Sequence, residues 1–174
     1  DLFWATLGGM GLTGVILAVT LSLRRIDSAF IQVNYQRTKD LDETMALLED
    51  QDKQHTYSVA WVDGLASGLH LGRGVLIHGD HASSQDLSAR QRLAPFNFNH
   101  RCSWNVPFQF PDFVLNRLSM GAFNSLYYRR FQGDCSGVIV DYDRFFYPLD
   151  SVYKWYRMYG RQGFVQYQCV IPLE

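Results

Sequence analysis

The sequence has no excess of charge of either sign, and this excludes two classes of function. Its 174 residues include 16 Lys and Arg against 17 Asp and Glu, which gives a net charge of −1. Proteins that bind nucleic acid or an anionic membrane surface through charge usually carry a clear basic excess. We therefore expect no nucleic-acid partner and no electrostatic attachment to a membrane.

Cysteine and long apolar runs are also scarce. The chain has three cysteines, Cys102, Cys135 and Cys169, an odd number without a CxxC spacing. This set argues against a disulfide framework and favours a reducing compartment, so we expect a cytoplasmic location. The apolar stretch over residues 8–23 is interrupted by two threonines and a serine, and it is shorter than the ~20 residues that a spanning helix needs. We expect no membrane helix.

No group of residues completes a metal site or an activated nucleophile. His78 with His81, and His100 with Cys102, have ligand-like spacings, but no second motif supplies four ligands. Cys102 has no orienting acid in its motif. We expect no metal. The arginine pairs 129–130 and 157/161 could hold an anion such as phosphate, although such arginines are more often solvated or structural.

What the chain does contain is apolar periodicity, with 12 Phe, 10 Tyr and 4 Trp. Two-residue alternation predicts strands, and stripes at helical spacing predict helices. The predicted strands cover 15–23, 29–35, 57–62, 74–78, 138–142 and 164–171. The predicted helices begin at Asp40 and cover 84–93, 111–131 and 151–159, the last of them stopped by Gly160. This order predicts an α+β fold, with helices on one face of a largely antiparallel sheet.

A glycine-rich segment is the first candidate site. Gly8, Gly9, Gly11 and Gly14 remove side chains where the backbone turns or approaches a ligand, and their N–H groups can meet a phosphate or a flavin edge. The order is wrong for a dinucleotide fingerprint, which needs a strand before the glycines and a helix after them. An ordinary turn at the start of a strand explains the segment equally well.

The second candidate is a pair of amides on the last predicted strand. Alternation places Gln166 and Gln168 on one face, and amides both donate and accept hydrogen bonds, as a neutral sugar requires. Trp61, near the end of an earlier strand, could serve as a platform for a sugar or a flat ring. The alternatives are a polar patch within the sheet packing and an ordinary core tryptophan.

Several segments, taken in order, resemble the decaprenylphosphoryl-β-D-ribose 2′-oxidase family, FAD-linked oxidases with the vanillyl-alcohol-oxidase-type fold. The matching segments are LFWAT at 2–6 with GGMGLTGV at 8–15, LDET at 41–44 with AL at 46–47, YS at 57–58 and AW at 60–61, YPLD at 147–150, Trp155, Arg157, YG at 159–160, and GFVQYQ at 163–168. They recur in family order over nearly the whole chain, except from about residue 80 to 135.

The resemblance implies a division of the chain and a set of binding residues. Residues 1–27 would form the C-terminal edge of the FAD-binding domain, including its last strand, and residues 28–174 part of the substrate-binding domain. The implied FAD-binding residues are Gly8, Gly9, Gly11, Thr13, Gly14 and Val15. The implied substrate-binding residues are Trp61, Phe146, Gln166 and Gln168, with Phe146 standing where a family relative carries a tyrosine.

The resemblance also implies an activity for the whole protein. A sugar hydroxyl, most specifically the 2′-OH of polyprenyl-phosphoryl ribose, would be oxidised by hydride transfer to flavin, and a reductase partner would complete an epimerisation. The catalytic residues would follow Glu174, so the chain alone would be inactive. Peripheral association of the whole protein with the inner membrane is compatible with this activity. The alternatives are an FAD-linked oxidase of an aldonolactone or alditol, and a non-catalytic α+β binding module.

Overall fold

A computed structural model describes residues 2–97, 104–131, 133, 135–161 and 163–169. In chain order its helices and strands are α1 (Leu2–Thr6), β1 (Phe30–Thr38), α2 (Leu41–Gln51), β2 (Tyr57–Val62), β3 (Gly74–His81), α3 (Ala89–Leu93), β4 (Trp104–Asn105), α4 (Arg117–Arg130), β5 (Cys135–Asp141), α5 (Tyr142–Phe146) and β6 (Val152–Tyr153). Short 3₁₀ turns lie at Asp52–Gln54, Gly68–His70, Pro148–Ser151 and Trp155–Tyr159. None of the helices in these ranges is long and apolar enough to cross a membrane.

The centre of the fold is a four-stranded antiparallel sheet in the order β2-β3-β1-β5. On β1, Ile31 lies opposite His81 of β3 on one side and Val140 of β5 on the other. The strands β4 and β6 form a separate, two-residue parallel pair. The predicted mixed fold with a largely antiparallel sheet is therefore confirmed.

The helices contact both faces of this sheet, whereas the sequence predicted one face. The hydroxyl oxygens of Thr38 on β1 and Thr44 on α2 are 2.6 Å apart on the first face. On the opposite face, the ring of Trp61 on β2 lies 4.6 Å from that of Tyr127 on α4. The reason is visible in β1: the side chains of Phe30 and Ile31 point to opposite faces, and both are buried. Apolar positions on two faces need cover on two faces.

The start of α2 follows the sequence prediction. The side chain of Asp40 accepts a hydrogen bond of 2.9 Å from the backbone N–H of Glu43, which satisfies one of the free donors at the helix N-terminus. Glu43 in turn accepts from the backbone N–H of Lys39 at 2.7 Å. These two bonds fix the angle at which the chain leaves β1, and they place Thr44 over the sheet.

Three predicted elements are absent from the described residues. Residues 15–23 form no strand and their apolar side chains are exposed, with Leu17 94% exposed. Residues 164–169 of the last predicted strand are also exposed and unassigned. Strands are stabilised by hydrogen bonds to a neighbour, and no described strand pairs with either segment. In place of the helix at 151–159 there are two 3₁₀ turns, because Lys154 has a left-handed φ of +58° between them, and Gly160 ends the second.

A buried carboxylate joins the sheet to α4. Asp63, just after β2, accepts hydrogen bonds through one oxygen from Arg73, at 3.0 Å from Nε and 2.8 Å from Nη2. Its other oxygen accepts from Asn124 on α4 at 2.7 Å and from the backbone N–H of Leu65 at 3.1 Å. Burial alone would raise the pKa of Asp63, but these hydrogen bonds hold it below its usual range. The guanidinium of Arg73 also lies 5.0 Å from the ring centre of Tyr128.

We expect Asp63→Ala to lower the free energy of unfolding by about 3 kcal/mol, because it leaves the part-buried guanidinium of Arg73 and the buried amide of Asn124 without their acceptor. Urea denaturation followed by circular dichroism measures this. The matched control is Glu49→Ala, which removes an exposed carboxylate from α2 and should change the free energy by less than about 0.5 kcal/mol. Equal effects of the two substitutions would contradict the role of Asp63.

A second polar cluster lies on the α2 side of the sheet. The imidazole of His78 is buried, stacks on that of His55 at 4.6 Å, and has its Nδ1 3.1 Å from the hydroxyl of Ser58. Its Nε2 has no hydrogen-bond partner among the described residues. His55 contacts the carboxylate of Asp80 at 2.7 Å. Burial lowers the pKa of His78 and the neighbouring His55 lowers it further, against the partial opposition of Asp52 and Asp80.

We expect the free energy of unfolding to fall as the pH drops from about 7 to 5. The folded protein resists protonation of His78, whereas the unfolded chain takes up that proton near the ordinary histidine pKa of 6.5, so acid favours unfolding. In His78→Gln this pH dependence should become shallower, while His70→Gln, at an exposed histidine, should leave it unchanged. Urea titrations at a series of pH values test the expectation, which is wrong if the three proteins give parallel curves.

Candidate functional site

An open groove lies on the face of the sheet that carries α4 and α5. It has a volume of about 440 Å³. We call it the sheet groove. It is lined by Tyr35, Val59, Ile77, Val138 and Val140 from the four strands, by Cys135, by Tyr127, Arg130 and Phe131 at the end of α4, and by Arg144, Phe145 and Pro148 at α5.

The floor of the sheet groove is aliphatic and partly open to solvent. Val59 is 50% exposed and Val138 is 40% exposed; they lie on β2 and β5, the two edge strands of the sheet, on the face that carries α4 and α5. Apolar surface left open in a concavity marks a place for a ligand or a partner. A flat ring or the apolar part of a small molecule fits this floor.

Aromatic rings form the two walls. On the α4 side, the ring of Phe131 stacks on Tyr35 at 4.7 Å and meets Tyr127 at 5.2 Å, and Tyr127 in turn contacts Trp61. On the α5 side, the ring of Phe146 meets Tyr57 edge to face at 4.9 Å. Two of the residues predicted as substrate-binding, Trp61 and Phe146, therefore stand on the same face of the sheet, one beside each wall.

The phenols in the sheet groove are held in the neutral form. Burial raises the pKa of both Tyr35 and Tyr127, and the positive charge of Arg130 only partly opposes this. Both hydroxyl groups therefore keep their protons at neutral pH and can donate a hydrogen bond to a ligand.

Gly79 is a residue that the sequence reasoning missed. It lies in the interior of β3, opposite Val33 and Tyr57. A Cβ at this position would come 2.5 Å from Cζ of Phe145 and 2.9 Å from a methyl carbon of Ile31. The absence of a side chain therefore lets α5 approach the sheet and form one wall of the groove. An isolated glycine within a strand pattern was the available signal.

The glycine-rich segment forms a tight turn directly after α1. Gly8 and Gly11 have φ values of +78° and Gly14 of +141°, which favour glycine strongly. A Cβ on Gly9 would overlap the carbonyl oxygen of Ala5. The hydroxyl of Thr13 donates to that of Thr6 at 3.0 Å. Backbone amides without shielding side chains fit a phosphate or the edge of a flavin. No described contact joins this turn to the sheet groove.

The two predicted amides lie elsewhere. Gln166 and Gln168 are exposed, and the described contacts of their segment are those of Phe164, whose ring packs on Trp155 at 5.1 Å and Tyr159 at 4.4 Å. The structure therefore does not bring the amides to Trp61 and Phe146. Their role in binding stays a prediction, as do the roles of the glycines, Thr13 and Val15.

The histidine pair that suggested a metal is divided between the two faces of the sheet. His78 contacts Ser58 on the α2 side, while Nε2 of His81 lies 3.1 Å from the hydroxyl of Tyr57 on the groove side. In the part of the chain that the structure describes, no cluster of three or more His, Cys, Asp or Glu side chains could hold a metal ion. The second candidate pair, His100 and Cys102, lies outside the described residues.

Comparison with known proteins confirms the family resemblance. No family model matches the sequence. The chain is 35% identical, over 175 aligned positions, to the decaprenylphosphoryl-β-D-ribose oxidase of Mycolicibacterium smegmatis, covering all of this chain and 38% of that protein. It is also 35% identical, over 178 positions, to an uncharacterized protein in the mprA 5′ region of Streptomyces coelicolor, covering 98% of this chain and 47% of that protein. The chain thus spans less than half the length of these two relatives.

We expect Gly79→Ala to lower the free energy of unfolding by about 1–3 kcal/mol, because the new methyl group displaces the ring of Phe145. The control is Gly121→Ala on α4, where an added Cβ meets no atom within 4 Å. That substitution should raise the free energy of unfolding by up to about 1 kcal/mol, since alanine is the better helix former. Urea denaturation distinguishes the two signs. A neutral Gly79→Ala would show that Phe145 does not pack on the sheet as described.

Proposed function

We infer that the chain is an internal segment of the decaprenylphosphoryl-β-D-ribose oxidase family, and we propose that the whole protein is an FAD-dependent oxidoreductase acting on a sugar hydroxyl. The specific substrate in this proposal is the 2′-OH of polyprenyl-phosphoryl ribose. The observation that carries the proposal is the 35% identity to such an oxidase along the whole of this chain. The sheet groove supports the proposal, because its volume of about 440 Å³ and the hydroxyl groups of Tyr35 and Tyr127 can accommodate a sugar.

In this proposal the sugar binds over the sheet groove between its two aromatic walls. Trp61 and Phe146 offer ring faces and edges for the C–H groups of a sugar. The neutral hydroxyl groups of Tyr35 and Tyr127 donate hydrogen bonds to its oxygens. Gln166 and Gln168 would complete the polar contacts, provided that their segment pairs with an edge of the sheet in the whole protein.

The cofactor in this proposal is FAD, held in part by the glycine-rich turn. Gly8, Gly11 and Gly14 are exposed and have positive φ values, whereas the N–H of Gly9 already donates to the carbonyl of Thr6; Thr13 and Val15 complete the proposed set. When bound, FAD supplies the oxidising power by accepting a hydride from the sugar carbon. This chain's residues bind and orient the sugar, and the base that removes the hydroxyl proton lies outside it. A reductase partner would return the ketone to an alcohol of opposite configuration.

The test is the visible absorption spectrum of the full-length protein under anaerobic conditions. We expect a flavin band that bleaches on addition of polyprenyl-phosphoryl ribose, because the sugar reduces the flavin. The matched control is the 2-deoxyribose analogue, which lacks the hydroxyl group to be oxidised and should leave the band unchanged.

Other outcomes lead to specific revisions. Bleaching by both sugars would exclude the 2′-OH as the reacting group. Bleaching only by an alditol or an aldonolactone would keep the FAD-linked oxidase and replace the substrate. If no flavin co-purifies and none can be reconstituted, the oxidase proposal is wrong and the chain is a binding module.

A further inference from the structure

We propose that Arg130 and Arg144 bind the phosphate of the lipid-linked sugar, and that the aliphatic floor between them holds the start of the lipid chain. The inference rests on the proposed function: the sugar lies over the opening of the sheet groove, and the phosphate and the start of the lipid chain lie between its arginines and on its floor. Neither arginine lies in a segment that carries the family resemblance.

The two arginines reach the sheet groove from opposite walls. Arg130 is the last residue of α4, and Arg144 lies in α5. Both line the same groove, although they are separated by a strand in the sequence. Two guanidinium groups that line one concavity can both donate hydrogen bonds to a single anion.

Arg144 has donors available for such an anion. Its Nε lies 3.7 Å from the carboxylate of Asp141, which is longer than a hydrogen bond, and its side chain is 63% exposed. An exposed pair at this distance contributes little and is easily rearranged. A phosphate between the walls would offer Arg144 a shorter, charge-assisted hydrogen bond.

The charge of the sheet groove favours an anion. Its described lining contains two guanidinium groups and no carboxylate. Arginine suits phosphate especially, because its planar fork of N–H groups can donate two parallel hydrogen bonds to adjacent oxygens.

The floor of the sheet groove indicates that the ligand also has an apolar part. Val59, Ile77 and Val138 form an apolar surface between the cationic rims. The volume of about 440 Å³ lies within the range of small-molecule sites and is too small for a long polyprenyl chain. The groove therefore fits a phosphate with the first isoprene units attached, and the rest of the chain leaves through the open side.

The competing explanation for Arg130 is its position at the C-terminus of α4, where a positive charge stabilises the helix dipole. Arg129 occupies the same helical turn and does not line the groove. The two neighbouring arginines therefore share the helix-end effect and differ in the proposed contact. Arg129 is the matched control.

The experiment measures binding of farnesyl phosphate and of farnesol to the full-length protein by isothermal titration calorimetry. The wild-type protein should prefer farnesyl phosphate, and added salt should weaken this preference. Arg130→Gln and Arg144→Gln should each weaken farnesyl phosphate binding by about tenfold, the loss of one charged hydrogen bond, and leave farnesol binding unchanged. Arg129→Gln should change neither affinity.

Equal loss of both ligands in Arg130→Gln and Arg144→Gln would overturn the proposal, and so would unchanged affinity in both variants. Melting temperatures check that the variants fold. If Arg130→Gln unfolds, Arg144→Gln alone decides. The outcome is separate from that of the flavin test: a protein that prefers farnesyl phosphate but shows no bleaching keeps the anion site and loses the oxidase.

Discussion

The carboxylate of Asp63 is the constraint on which the arrangement of the sheet groove depends. It is buried at the end of β2 and accepts hydrogen bonds from both Arg73 and Asn124. Through Asn124 it fixes the position of α4 over the sheet, and through Arg73 it sets the surface on which Tyr128 packs. A buried charge of this kind tolerates little movement, because any displacement leaves it unpaired in a medium of low dielectric constant. One wall of the groove is therefore fixed by electrostatics.

The opposite wall is fixed by shape. Gly79 leaves room for the ring of Phe145, so α5 lies against the sheet as a close-packed neighbour. Between a wall held by hydrogen bonds and a wall held by packing, the floor stays uncovered. The openness of the groove thus follows from where two helices can attach, and the exposed valines of the floor are its result.

Helix caps and apolar alternation, which depend on neighbouring residues, predicted several helices and strands. They predicted few of the residues that line the sheet groove. The start of α2 was predictable because Asp40 caps the helix through a residue only three positions later in the sequence. The apolar alternation over residues 57–62 predicted the bounds of β2 correctly. The segments 15–23 and 164–169 alternate equally well, but a strand also needs a neighbour, and alternation does not reveal one. Trp61 was a candidate from its position near a strand end and again from the family resemblance, and Phe146 from the resemblance alone. Arg130 and Arg144 come together only through the order of the strands, which no spacing in the sequence encodes.

The sheet order also has a kinetic consequence. β2 and β3 can pair as soon as both have been synthesised, whereas Ile31 of β1 must wait for Val140, about a hundred positions later. Contacts between such distant segments slow folding. Closing a long loop lowers the entropy of the chain before the strand pairing contributes any favourable free energy. During synthesis on the ribosome, β1 has one side unpaired until β5 emerges. The floor of the sheet groove, to which β5 contributes Val138 and Val140, is therefore complete only after β5 has paired with β1.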